Sequence, residues 1–190
     1  DFDALAVDNT AWVDLPQARE LQVFCPETLP AFRHALKGQA GLRLDPPDGK
    51  PSEMATYDLV ITDSLADLAR EATTYLTVGQ IPKELDGKLT IQDGNATVVD
   101  WKRDAPIMQH VQLREVLMVD EPTLASGVTD ATLDELGFET LCHGANGPLM
   151  LERRVGPRLY LHWMFKLDRT TLPYRLAFPI RDGMAVMLES

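Results

Sequence analysis

Tyr57-Asp58-Leu59-Val60-Ile61-Thr62-Asp63-Ser64 is the most strand-like run in the chain. Its β-branched and apolar centre, closed by a polar exit, suits a strand buried inside a sheet. Ser64 and Asp67 form a Ser-x-x-Asp pattern, which reads as a capping box opening a short helix through Leu65, Leu68 and Ala69. Thr73-Thr74-Tyr75-Leu76-Thr77-Val78 then returns as strand and stops at Gly79. Upstream, Leu21-Gln22-Val23-Phe24-Cys25 opens as a buried parallel strand. Leu29, Phe32, Arg33 and Leu36 follow at helical spacing, with Thr28 as the cap, Pro30 in the first turn and Gly38 at the end. Gly41-Leu42-Arg43-Leu44 is the next strand, closed by the Pro- and Gly-rich loop from Asp45 to Pro51. The order β-α-β-loop-β-α-β predicts an α/β sheet with helices on its faces.

The second half reads differently. Ala96 to Trp101 and Val116 to Val119 are strand-like, a short helix is expected over Ile107 to Val111, and Asp130 to Gly137 makes one or two helical turns. Glu139–Cys142, Leu149–Arg153 and Leu159–Phe165 are successive strands with Gly in the turns between them. Short turns between consecutive strands predict an antiparallel extension.

Composition bounds the function. The chain has 190 residues, 45% of them hydrophobic, and a formal net charge of −11. Such a charge repels phosphate backbones, so nucleic acid is excluded as a partner class. Two cysteines exclude a disulfide-stapled scaffold and a Cys₄ zinc site. The four histidines, His34, His110, His143 and His162, stand singly, without metal-ligand spacing, so no metal and no cofactor are assigned.

A nucleophile elbow needs Gly on both sides of Ser or Cys, and no such motif occurs. Cys25 is followed by Pro26 and reads as a small buried hydrophobe. Cys142 and His143 are adjacent, but neighbours on a strand point to opposite faces. No catalytic residue is assigned; Cys142 with His143 is the pair left for an enzyme reading. Asp63, Ser64 and Gly79 sit at strand C-termini, where α/β sheets bind their ligands, and are the candidate binding residues. The chain opens at Asp1-Phe2-Asp3 and stops at Glu189-Ser190, which reads as a segment of a longer protein.

Four stretches carry a resemblance. They are Asp3 to Trp12, Tyr57-Asp58-Leu59-Val60-Ile61-Thr62-Asp63, Val98 to Met108 and Leu172-Pro173-Tyr174-Arg175-Leu176-Ala177-Phe178-Pro179-Ile180. Together they resemble the C-terminal part of bacterial membrane-anchored von Willebrand A proteins of the BatA (aerotolerance-operon) type. The resemblance implies that residues 1–16 end a preceding β domain. Residues 17–190 would then form a flavodoxin-like, class I glutamine-amidotransferase-like α/β domain, with helices on both faces and an antiparallel β extension. Thr77-Val78-Gly79-Gln80-Ile81-Pro82 lies where that fold would carry its nucleophile and holds none. The implied role is a non-catalytic interaction or scaffolding module with protein partners, on the extracytoplasmic side of a bacterial membrane. It would meet the membrane only through segments of the parent outside this chain. Two alternatives stand beside it: a divergent cysteine hydrolase or amidotransferase using Cys142, and a small-ligand binder near Asp63, Ser64 and Gly79.

Overall fold

The computed structural model describes residues 19–48, 50, 52, 54, 56–109, 113, 117–166, 175–181 and 184–189. The segment 1–16 and its boundary at Pro16 lie outside the described residues, as do His110, Val111, Val116 and Leu172 to Tyr174. The first strands are β1 (Leu21–Phe24), β2 (Leu42–Asp45), β3 (Thr56–Thr62) and β4 (Glu71–Val78). Helix α1 (Pro30–Lys37) lies between β1 and β2. It buries Phe32, Arg33 and Leu36 on one face, as their spacing requires. Then come β5 (Leu89–Trp101), β6 (Leu117–Leu124), α2 (Asp130–Glu135), β7 (Phe138–Gly144), β8 (Pro148–Val155) and β9 (Arg158–Trp163). A separate antiparallel hairpin joins β10 (Arg175–Arg181) and β11 (Met184–Glu189).

The first nine strands form one sheet in the order β2-β1-β3-β4-β9-β8-β7-β5-β6. Pairing is parallel from β2 through β4 to β9, and antiparallel from β9 through β8, β7 and β5 to β6. Strand β9 joins the halves. The tight Gly156-Pro157 turn folds it back on β8, and its other edge pairs parallel with β4.

This corrects the expected flavodoxin-like α/β fold with helices on both faces. The protein is predominantly β, and the described residues hold only two α-helices, of eight and six residues. The reason lies in the connections. Only residues 63–70 link β3 to β4, fewer than a helical crossover needs, and Leu65–Ala69 form a 3₁₀ turn with no buried residue. Ser64 caps that turn by accepting from the Ala66 N–H at 3.4 Å. Asp67 does not complete the capping box; it accepts from the Thr62 hydroxyl at 2.7 Å and from Arg70 at 2.9 Å. Between β4 and its parallel neighbour β9 the chain runs through an antiparallel array rather than a single helix. Of the segment expected to be helical over Ile107–Val111, the described residues form a 3₁₀ turn, Pro106–Met108.

The two faces are covered unequally. The first face carries the main core, in which Val23, Leu59, Ile61, Leu76, Leu161 and Trp163 pack with Phe32 and Leu36 of α1. On the second face the cover is split into two smaller clusters. One gathers Phe24, Tyr57, Val60, Ala72 and Tyr75, with Leu68 of the 65–69 turn against it. The other gathers Leu85, Leu89, Leu133, Phe138, Leu151 and Met164, with Leu85 from a second 3₁₀ turn, Lys83–Leu85. A gap opens between them.

Candidate functional site

The residues singled out at the strand ends are partly brought together. Asp63 follows β3 and accepts a 2.9 Å hydrogen bond from the Thr28 hydroxyl. Thr28 therefore does not cap α1, whose N-cap is Leu29 without a side-chain bond. A cavity of about 160 Å³ lies here, lined by Thr28 to Phe32, Asp63 and Lys166. Gly79 turns out of β4 at φ +64°, and a Cβ there would stand 3.0 Å from Lys166 Cγ. Asp63 and Gly79 thus both adjoin Lys166, whose N–H donates to the buried Asp120 at 2.8 Å. Ser64 turns away into its capping role and does not line this cavity.

The thiols are placed apart from any base. Cys25 and Cys142 are both fully buried, and burial pushes each up to about 12. Asp100 adds to the rise at Cys142; at Cys25 the nearby Arg33 opposes it. His143 is half-exposed, 4.0 Å from the Asp130 carboxylate, while Cys142 packs in the main core.

The larger site lies in the gap on the second face. It is a cavity of about 540 Å³, lined by Leu65, Leu68 and Ala69 on one side, Pro82, Lys83 and Glu84 on another, and Arg153, Tyr160 and His162 from the sheet. That volume suits a small-molecule ligand. Sheet register assembles it. Across the second face run Val60, Tyr75, Tyr160, Arg153 and Phe138 in one row, and Thr62, Thr77, His162, Leu151 and Thr140 in the next. Tyr160 stacks on Tyr75 at 4.8 Å between ring centroids, and the Tyr160 and His162 rings lie 10° from parallel.

His162 is 3% exposed. Its Nδ1 lies 2.7 Å from the Thr77 hydroxyl. Thr77 is fully buried and its hydroxyl has no other acceptor among the described residues, so it donates to Nδ1 and the ring proton sits on Nε2. Nε2 has no partner among the described residues and belongs to a ring that lines the cavity. Burial lowers the His162 pKa to about 4, with Glu84 opposing and Arg153 assisting, so the imidazole is neutral at pH 7. Glu84 pairs with the Arg153 guanidinium, which also lies 5.0 Å over the Phe138 ring. Burial works to raise the Glu84 carboxyl, but the bond from Arg153 and the surrounding charge hold it below its ordinary value.

The buried imidazole has a pH signature. Above about pH 6.5 neither state holds the extra proton and stability is full. Between about 6.5 and 4 the unfolded chain takes up a proton that the folded site refuses, so stability falls with falling pH. The loss reaches about 3 kcal/mol. His162→Gln removes this slope, and the check is the difference between the two proteins' urea midpoints across pH 4–7; equal slopes would contradict it.

Sequence reasoning passed over His162 as one of four isolated histidines. A local signal was available: Leu159, Leu161 and Trp163 alternate with Tyr160 and His162, marking a second, more polar face of β9. The Thr77–His162 pairing spans 85 residues and has no such signal.

Among the described residues no group of three or more His, Cys, Asp or Glu side chains could hold a metal ion, and no helix is long and apolar enough to cross a membrane. No protein-family model and no curated protein matches the chain.

Proposed function

We propose that this domain is a recognition module that works by binding a small ligand in the second-face cavity. One observation carries the reading: a neutral, almost fully buried imidazole presents its free N–H edge to a cavity of about 540 Å³. The Nε2 edge is open to the cavity, so a ligand acceptor can take the place of water there, and a hydrogen bond of this kind contributes roughly 0.5–1.5 kcal/mol net. The test is a thermal-shift screen against a metabolite library. A ligand at about 100 times its Kd raises Tm by about 5 °C or more. Ala69 is an exposed lining residue, and Ala69→Trp, which fills the cavity, abolishes that shift. A flat response across the library, or shifts unchanged by Ala69→Trp, would refute the reading.

The resemblance of Tyr57–Asp63 and Val98–Met108 to BatA-type proteins supports a further element, that the module serves a membrane-anchored bacterial surface protein. A full-length gene product with no von Willebrand A domain or membrane helix would remove that support.

The burial of both thiols speaks against a cysteine nucleophile. A thiol raised to about 12 is protonated at neutral pH and inert. Iodoacetamide is expected to label neither Cys25 nor Cys142 in the folded domain at pH 7.5 within an hour, and both after denaturation. Rapid native labelling of Cys142, with turnover lost in Cys142→Ala, would restore the enzyme reading.

A further inference from the structure

We propose that the second-face cavity selects a planar aromatic carboxylate, its ring set against Tyr160 and His162 and its carboxylate held by His162 Nε2 and the Arg153 guanidinium. This rests on the reading of that cavity as a binding site, and adds the chemistry of the ligand.

Shape supplies the first half of the argument. The Tyr160 and His162 rings lie 10° from parallel at 6.5 Å, and both line the cavity with their planes aligned. Tyr75 stacks on one side of Tyr160 and braces it. The rest of the apolar lining is aliphatic, with Leu65, Leu68 and Ala69 on one side and Pro82 on another. Aligned aromatic rings beside an aliphatic lining favour a flat apolar body, which can lie parallel to them, over a globular one.

Charge supplies the second half. The chain carries a net −11, yet the lining holds Lys83 and Arg153 against Glu84 alone, a local excess of one positive charge. The pair with Glu84 engages one guanidinium nitrogen, Nη1 of Arg153, and leaves the rest of its fork of donors. His162 Nε2 adds a neutral donor. An acceptor-only group with a single negative charge satisfies both donors and balances the excess; an ammonium group meets two cations, and a phosphate dianion overshoots. The flat, two-oxygen geometry of a carboxylate also matches the guanidinium fork.

The experiment is calorimetric titration of the full chain with four probes: 2-naphthoate, its neutral isostere 2-naphthamide, cyclohexanecarboxylate and 2-naphthylmethylamine. Expected is measurable binding of 2-naphthoate, about tenfold or more tighter than the amide and the saturated acid, with no binding of the amine. Arg153→Gln lowers naphthoate affinity to the level of the amide, and Ala69→Trp abolishes binding of both. Should Arg153→Gln unfold the domain, Lys83→Gln at the exposed rim carries the same test, with a loss of a few-fold in naphthoate affinity at low salt that shrinks as salt is added. Equal or tighter binding of the amide or the amine overturns the carboxylate assignment, and of cyclohexanecarboxylate the aromatic one, while leaving the cavity a binding site. Naphthoate binding that survives Ala69→Trp places the ligand elsewhere and overturns the proposal. Failure of all four probes overturns it too, and the library screen then decides separately whether the cavity binds anything.

Discussion

Trp163→Ala destabilises the domain by about 3–5 kcal/mol, the largest single-residue loss expected here. Trp163 is 1% exposed at the end of β9, where the parallel and antiparallel halves of the sheet meet. Its backbone pairs with Val78 on one side and Met150 on the other, and its carbonyl accepts the Gly79 N–H at 2.8 Å. Its ring lies 5.5 Å from Phe32 of α1 and stacks at 5.3 Å on Phe165. Truncation removes one of the largest buried side chains and leaves a void that α1 and two strands cannot close together, so a cavity penalty adds to the lost transfer energy. In a chain of this size Tm falls by about 10 °C or more. Trp163→Phe restores most of the loss. Urea unfolding read by far-UV circular dichroism checks both, and a Trp163→Ala midpoint within error of wild type would show that the Trp163 ring does not hold α1 and the two halves of the sheet together.

Arg33→Met costs about 3 kcal/mol or more, although methionine fits the apolar surroundings of the stem. The guanidinium sits 5% exposed on the buried face of α1. It donates to the Cys25 carbonyl at the end of β1, to the Pro46 carbonyl after β2 at 2.9 Å and to Asp48 at 2.7 Å. Substitution strips a charged donor from the buried Cys25 carbonyl and the part-buried Pro46 carbonyl at once, and a buried carbonyl left bare costs roughly 1–3 kcal/mol. The Asp48 pair is the smaller part, since that carboxylate is 65% exposed and water screens it. Arg33→Lys therefore recovers little, because a single ammonium cannot reach three acceptors in different directions. Asp48→Ala is expected to leave the melting curve nearly unchanged. If Arg33→Met and Asp48→Ala cost the same, the surface ion pair and not the carbonyl tie would be the source.

Legibility in the sequence followed the range of the interaction. Strand β3 is plain in Leu59-Val60-Ile61 because an apolar β-branched run needs only its own composition to declare itself. Helix α1 is plain in the spacing of Phe32 and Leu36, and the Gly156-Pro157 turn marks the β8–β9 hairpin. The Leu65–Ala69 turn misleads for a physical reason. Ser64 and Asp67 carry the right side chains for a helix start, but Thr62 and Arg70 compete for Asp67, and eight linking residues leave no room for a helix. Counting that turn as a helix is what makes the flavodoxin-like reading attractive. For the site, Asp63 and Gly79 were accessible to the strand-end rule, and they do share Lys166. The second-face cavity was not accessible, because it is a gap between two separate clusters and no local pattern encodes a gap.

By itself the sequence determines what depends on composition and on neighbours in the chain: the individual strands, the amphipathic α1, the acidic net charge, and the want of a nucleophile motif. Only the tertiary structure decided that β9 enters the sheet beside β4, which turned an expected two-faced α/β sheet into a mixed, predominantly β one. That pairing set Thr77 against His162, buried the imidazole in its neutral form and aimed its free edge at a cavity. Each of these rests on contacts between residues some 85 positions apart. Their energy comes from burial and register, which exist only once the sheet is assembled.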